Sequence, residues 1–157
     1  IMPSLVGSEM CIRDRSIPIQ GNDMNRTMNQ WEIQQLTKFN NISIGAHTKS
    51  HTKLSQLSVD SQKEEINESK EILEKISGQK IEIFSYPFGE DEDYTEQTVE
   101  ILKTCGIKKA AVVKQGLYSK EYGEYRIPRN TVNGGTTVRQ LKKIIEKSWF
   151  EYGEKAI

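Results

Sequence analysis

The stretch that decides the fold is ISIGAHTKSHTKLSQLS, residues 42–58, which carries both histidines of the chain four positions apart. Apolar residues alternate before the first histidine, so residues 41–46 predict a strand that ends at His47. Ser58 has N-cap chemistry, and residues 58–78 then repeat apolar side chains at helical spacing. A strand, a loop and a helix in this order are typical of parallel α/β folds, which keep their chemistry at the carboxyl ends of strands.

The same alternation continues on both sides of this stretch. Further strands are expected at residues 81–87, 107–113 and 125–128, and further helices at residues 27–39, 94–105 and 136–149. The first helix is expected to begin at a Thr27 cap and to form one apolar stripe from Met28, Trp31, Gln35 and Phe39. Alternating strands and helices predict a parallel sheet covered by helices. Because a closed barrel of this kind has about 250 residues, we expect a partial barrel.

Composition narrows the class of protein. Lys and Arg together count 22, as do Asp and Glu, so net charge does not favour nucleic acid as a partner. Two cysteines are too few for a disulfide framework. Residues 1–15 show no periodicity and no signal-peptide pattern, and we interpret them as a non-native leader in front of one partial domain at residues 16–157.

The two histidines allow more than one interpretation. From the spacing alone, a solvated loop histidine followed by a histidine at a helix start is a simpler interpretation than metal binding. The second strand-end segment, FSYPFG at residues 84–89, favours a functional site, because it belongs to the same rim of the predicted sheet. A proline-glycine turn is weak evidence by itself, since such turns are common.

The order of these segments resembles the polysaccharide deacetylase family, the NodB-homology domain of carbohydrate esterase family four. The likeness spans about residues 24–129. Three segments carry it: IGAHTKSHTKLSQLS is similar to the family's histidine motif, FSYPFG to its proline-aromatic-glycine motif, and YRIPRN to a closing segment of members that deacetylate chains containing N-acetylglucosamine. The resemblance implies a distorted (β/α) barrel and a hydrolase that removes N-acetyl groups from a polysaccharide. It also implies a divalent metal, commonly zinc, held by one aspartate and two histidines.

By this resemblance, His47 and His51 are the expected metal ligands, and the main-chain N–H of Phe88 is the expected donor to the oxyanion. The residues expected to contact substrate are Tyr86, Pro87, Phe88 and Gly89, although aromatic residues at a strand end are equally often part of the core. Arg129 is a candidate for a catalytic positive charge, and a structural salt bridge is an equal interpretation. Ser85 stands where many members carry an arginine.

The main departure from the family is the absence of its aspartate pair, which supplies the catalytic base and one metal ligand. Asp14 lies in the expected leader, and Asp23 has no strand in front of it, so neither is a convincing substitute. We therefore expect an inactive fragment of a deacetylase whose first strands are missing, and a glycan-binding remnant without turnover remains the alternative. Surface-glycan chemistry favours the cell envelope or the extracellular space.

Overall fold

The structure, a computed structural model, describes residues 28–114, 116, 118, 120–130, 132 and 135–143. In chain order it contains α1 (Gln30–Leu36), a 3-10 turn (Leu54–Gln56), α2 (Val59–Ser77), β1 (Ile83–Ser85), α3 (Glu96–Thr104), β2 (Lys109–Val112), a second 3-10 turn (Lys120–Tyr122), β3 (Ile127–Pro128) and a helix over residues 138–143. The expected leader and the expected Thr27 cap lie outside the described residues. The boundary at residue 16 stays a prediction.

The sheet is parallel, as the alternation predicted. β1 pairs with β2 and β2 with β3, with Phe84 opposite Ala110 and Ala111 opposite Ile127. The strand predicted at residues 41–46 is wrong in extent, because only Ala46 pairs, through an isolated parallel bridge to Phe84. No described residue pairs along the other side of this segment.

Helix α2 agrees with its sequence signals. The Ser58 hydroxyl accepts the Ser61 N–H at 3.3 Å, and Gly78 ends the helix in the left-handed conformation with φ of 66°. Ile66 and Leu73 are buried in the core that the helices form with the sheet. The helix is therefore fixed at both ends and along its apolar face, which makes it a rigid support for the loop at residues 47–53, the histidine loop.

Helix α1 differs from the prediction in its cap and in its buried face. Asn29 caps it in a reciprocal capping box with Glu32, in place of Thr27. Because α1 runs only over Gln30–Leu36, Met28 and Phe39 lie outside it and the predicted stripe does not form on one helix. Trp31 is 65% exposed, and the side chain that α1 buries is Ile33.

The C-terminal helix begins as predicted. The Thr137 hydroxyl accepts the Gln140 N–H at 3.3 Å, and the Gln140 side chain accepts the Thr137 N–H at 2.8 Å. Residues 144–149 of the predicted helix lie outside the described residues. Among the helices that are described, none has the length and apolar character needed to cross a membrane. The partial barrel and its missing first strands stay predictions.

Candidate functional site

The His47 ring is oriented by the main chain of the neighbouring strand. Its Nδ1 lies 2.7 Å from the carbonyl oxygen of Ser85, the last residue of β1. A carbonyl can only accept, so Nδ1 carries the proton and donates it, and Nε2 keeps a free lone pair. The Ser85 hydroxyl lies 2.9 Å from the same nitrogen. This is the arrangement that prepares a histidine for metal, because the ligating nitrogen is unprotonated and the ring is held by its other nitrogen.

His51 lies against His47 at the start of the following loop. The two ring centroids are 4.8 Å apart with an interplanar angle of 67°. The buried Nδ1 of His51 has no hydrogen-bond partner in the described part of the chain. An unpartnered buried ring nitrogen is costly, which indicates a role that the protein's own hydrogen bonds do not fill. One lone pair and one unsatisfied nitrogen in adjacent rings therefore fit two ligands of a divalent metal such as zinc.

Backbone strain is concentrated at this site. Among the described residues, the non-glycine residues with positive φ are Thr48 at 60°, His51 at 58° and Phe88 at 60°. For a β-branched residue such as Thr48 this conformation is a genuine outlier. The Thr48 hydroxyl accepts the His51 N–H at 3.0 Å and so supports the strained turn. Strained residues of this kind typically cluster where function demands a particular geometry.

The proline-aromatic-glycine segment forms the wall next to the histidines. The Gly89 N–H donates to the Pro87 carbonyl at 2.7 Å, which closes a three-residue turn around Phe88. The Phe88 ring centroid lies 4.9 Å from that of His51. The Phe88 N–H donates to no acceptor among the described residues. Within the part of the chain that the structure describes, it is therefore a main-chain donor without an acceptor, in the residue whose ring lies against His51.

Gly89 is required by close packing as well as by conformation. Its φ is 83°, and a Cβ at this position would lie 2.8 Å from the backbone nitrogen of Val113. The Val113 N–H also donates to the Gly89 carbonyl at 2.8 Å. Only glycine allows the turn to approach the end of β2 so closely.

Arg129 supplies a positive charge at the same rim. Its Nε donates to the Val112 carbonyl at 3.2 Å, and its Nη2 would lie 3.3 Å from a Cβ on Gly89. Among the described residues no carboxylate pairs with Arg129, and the choice between a catalytic charge and a structural salt bridge stays a prediction. The side chain is half-buried, and this burial lowers the pKa of Arg129. Arg129 thus lies against the Gly89 turn, and its charge acts on the pKa of His47.

Burial favours the neutral form of both histidines. Burial is the main cause that lowers the pKa of His47, and the charges of His51 and Arg129 lower it further, against the opposing effect of the Ser85 carbonyl. Burial also lowers the pKa of His51, against the opposing effect of its own main chain. The neutral imidazole is the form that binds a metal.

Tyr86 takes the core alternative. Its side chain is fully buried, its hydroxyl donates to the Tyr125 carbonyl at 3.0 Å, and its ring stacks on Tyr94 with centroids 4.1 Å apart. Burial raises the pKa of the Tyr86 hydroxyl. Pro87 is also buried. Of the four residues expected to contact substrate, Phe88 is half-buried with its ring against His51, whereas Tyr86, Pro87 and Gly89 are buried.

The acidic loop at residues 90–93 is partly structural. Asp93 is buried, its carboxylate accepts the Glu90 N–H at 2.9 Å, and it pairs with Lys53 at 2.6 Å. Lys53 Nζ also lies 5.5 Å from the Phe88 ring centroid. This ion pair ties the histidine loop to the loop that follows β1. The sequence pattern EDED offered no signal to separate buried Asp93 from its exposed neighbours.

The candidate metal site has two possible protein ligands, His47 and His51, within the described residues. No third histidine, cysteine or carboxylate joins His47 and His51 there to complete a metal-binding group. Asp14 and Asp23, the weak candidates for the missing aspartate, lie outside the described residues. The residues that are described therefore fit part of a zinc centre of the expected type.

The sequence profile of the family described as polysaccharide deacetylase matches residues 19–110 of this chain. The chain belongs to the polysaccharide deacetylase family. Members are hydrolases that act on carbon–nitrogen bonds. The match includes both histidines and the FSYPFG segment, so the resemblance drawn from these motifs is confirmed.

Individual relatives agree with this membership. The Bacillus subtilis protein YxkH, a candidate polysaccharide deacetylase, is 30% identical over 105 residues, which are 67% of this chain and 37% of YxkH. The Streptococcus pyogenes deacetylase PplD, solved in complex with acetate, has a TM-score of 0.70 at 22% identity, over 78% of this chain and 52% of PplD. A polysaccharide deacetylase from Bacillus cereus has a TM-score of 0.67 at 25% identity, over 81% and 39%. The chain thus spans about half or less of the length of these relatives.

Proposed function

We propose that this chain is part of a metal-dependent enzyme that removes N-acetyl groups from a polysaccharide of the N-acetylglucosamine type. The observation that carries the proposal is the pairing of His47, whose Nε2 is left free by the bond to the Ser85 carbonyl, with His51, whose buried Nδ1 has no partner among the described residues. Family membership supplies the reaction class, and the YRIPRN segment supports the sugar type.

His47 and His51 would hold the metal, and neutral imidazoles suit zinc. When bound, such an ion polarises the acetamide carbonyl and lowers the pKa of water. An aspartate from another part of the whole protein would complete the ligand set. His47 is orientated for this role before any metal arrives, because its Nδ1 donates to a carbonyl of β1.

The chain's own residues then act on the substrate around this pair. The Phe88 N–H, which has no acceptor among the described residues, would donate to the oxygen that becomes negative as water adds to the acetamide. Gly89 keeps the turn close to Val113 and so fixes the direction of that donor. Arg129 adds a positive charge at the same rim, which also favours negative charge on the reacting group.

A general base is needed to take a proton from the attacking water, and no carboxylate of a described residue joins the histidine pair to serve as one. General-base catalysis contributes about 10²- to 10⁴-fold in rate. We therefore propose that the 157-residue chain releases no acetate on its own. The same vacancy favours the second candidate function, a glycan-binding remnant without turnover.

Acetate release from an N-acetylglucosamine oligomer tests the proposal. The 157-residue chain, a longer chain that carries an aspartate pair upstream of residue 16, and His47→Ala in the longer chain are compared with and without zinc. Zinc-dependent release by the longer chain alone, lost in His47→Ala, is the expected result. Oligomer binding without acetate release by the longer chain would favour the glycan-binding alternative, and release by the 157-residue chain would contradict the missing base.

The partner that this reaction implies is an N-acetylated glycan. Such polymers are components of cell surfaces, so we propose the cell envelope or the extracellular space as the place of action. Fractionation of the source cells, followed by detection of the chain, tests this. Recovery with the cytosolic fraction alone would contradict it.

A further inference from the structure

Glu65 on α2 holds the loop between the two histidines with both of its carboxylate oxygens. One oxygen, Oε2, accepts the Lys49 N–H at 2.9 Å and the Ser50 N–H at 2.8 Å. The other, Oε1, accepts the Ser50 hydroxyl at 2.7 Å. Most carboxylates on the outer face of an amphipathic helix face water, whereas this half-buried side chain makes three hydrogen bonds to a segment 15 and 16 residues away in sequence.

The loop that Glu65 holds needs external support. Thr48 and His51, at its two ends, both have positive φ, a conformation that costs free energy in non-glycine residues. The segment between them has two successive backbone N–H groups that point at one carboxylate oxygen. Hydrogen bonds to a charged acceptor are stronger than neutral ones, and without this acceptor both N–H groups would depend on water.

We propose that Glu65 is a positioning residue for the histidine pair: it holds residues 48–51 in the strained conformation that keeps the His51 ring against the His47 ring. His47 is fixed independently by the Ser85 carbonyl, so the separation of the two rings depends mainly on where the loop places His51. The expected effect of Glu65 on metal binding rests on the proposed function. Its expected effect on the conformation of residues 48–51 does not.

Glu68 is the matched control on the same helix, one turn further along. Its carboxylate pairs with the Lys49 ammonium group at 2.5 Å, a contact between two partly exposed side chains. Exposed ion pairs contribute little to stability, and this one makes no bond to the loop backbone. Removing Glu68 thus removes a similar charge from the same region and leaves the two backbone N–H bonds in place.

The test compares Glu65→Ala, Glu65→Gln and Glu68→Ala in the full 157-residue chain. In Glu65→Gln one amide oxygen can still accept both backbone N–H groups, so this variant keeps the central contact while losing the charge. Amide hydrogen exchange of Lys49 and Ser50 reports the loop without metal, and a zinc titration reports the pair. Circular dichroism confirms that each variant is folded.

We expect Glu65→Ala to accelerate exchange at Lys49 and Ser50 and to weaken zinc binding by about 10- to 100-fold, the range typical of residues that orient metal ligands. Glu65→Gln should show smaller changes in both, and Glu68→Ala should match the parent chain. Unchanged exchange in folded Glu65→Ala would overturn the inference. So would faster exchange with unchanged zinc affinity. A parent chain that binds no zinc would instead contradict the proposed metal site, and exchange at Lys49 and Ser50 would still decide whether Glu65 holds the loop.

Discussion

Replacing Gly89 with alanine tests the close approach that aims the Phe88 N–H. A Cβ at Gly89 would lie 2.8 Å from the Val113 backbone nitrogen and 3.2 Å from the Val113 Cγ2. The first of these neighbours is main chain and cannot rotate away, so the turn and the end of β2 must separate. That movement also weakens the bond from the Val113 N–H to the Gly89 carbonyl.

The expected cost has two parts. A non-glycine residue in the left-handed region costs about 1–2 kcal/mol, and the disturbed hydrogen bond adds about 1 kcal/mol. We therefore expect Gly89→Ala to lower the free energy of unfolding by roughly 2–3 kcal/mol. For a chain of this size, such a change lowers the melting temperature by about 5–10 °C.

Gly78→Ala is the matched control, because Gly78 has a similar φ of 66° and a Cβ there would meet nothing within 4 Å. It carries the conformational cost alone. Thermal and urea unfolding of both variants give the difference between them, which measures the contact with Val113. If Gly89→Ala lowered the free energy of unfolding no more than Gly78→Ala, the contact with Val113 would not constrain this turn. It could then not fix the direction of the Phe88 N–H.

Three further predictions concern the interior and the loops. Tyr86→Phe removes the hydrogen bond from the Tyr86 hydroxyl to the Tyr125 carbonyl and should lower the free energy of unfolding, measured in urea, by about 1 kcal/mol. Zinc affinity should stay unchanged, and a change in it would place Tyr86 in the site. The pKa of His47 is lowered in the folded state, so the unfolded chain takes up the proton first as pH falls. The metal-free protein should therefore lose stability as pH falls below the ordinary histidine pKa of ~6.5. An equally steep loss in His47→Ala would contradict this. Lys53→Met should lower the melting temperature more than the double change Lys53→Met with Asp93→Asn, because the single change leaves the buried Asp93 carboxylate unpaired. Equal decreases in melting temperature would show that Lys53 and Asp93 are not coupled.

Features that depend on local chemistry were predictable from the sequence. Ser58 and Gly78 end α2 because a hydroxyl and a left-handed glycine satisfy backbone groups of adjacent residues, and no distant partner is involved. The parallel sheet followed from the alternation of strands with helices, which leaves few other arrangements. The histidine loop and FSYPFG meet because both follow segments paired at the same edge, through Ala46 and Phe84.

Features that depend on distant partners were not predictable. The exposure of Trp31 and the single bridge at Ala46 reflect which neighbours each segment has, and the sequence does not state this. The sequence allowed Tyr86 either a core or a surface position, and its stacking on Tyr94, a distant partner, places it in the core. The orientation of His47 comes from a backbone carbonyl, a group that every residue carries, so no residue type could have signalled it.

The central claim is that His47 and His51 bind one metal ion together. A zinc titration followed by the nitrogen chemical shifts of the two imidazoles tests it directly, in a variant with Cys11→Ser and Cys105→Ser so that thiols do not compete. We predict one zinc per chain, with the His47 Nε2 and a ring nitrogen of His51 shifting together at the same zinc concentration, and loss of both shifts in His47→Ala. Shifts that follow different zinc concentrations, or a His47→Ala chain that binds zinc as tightly as its parent, would contradict the account.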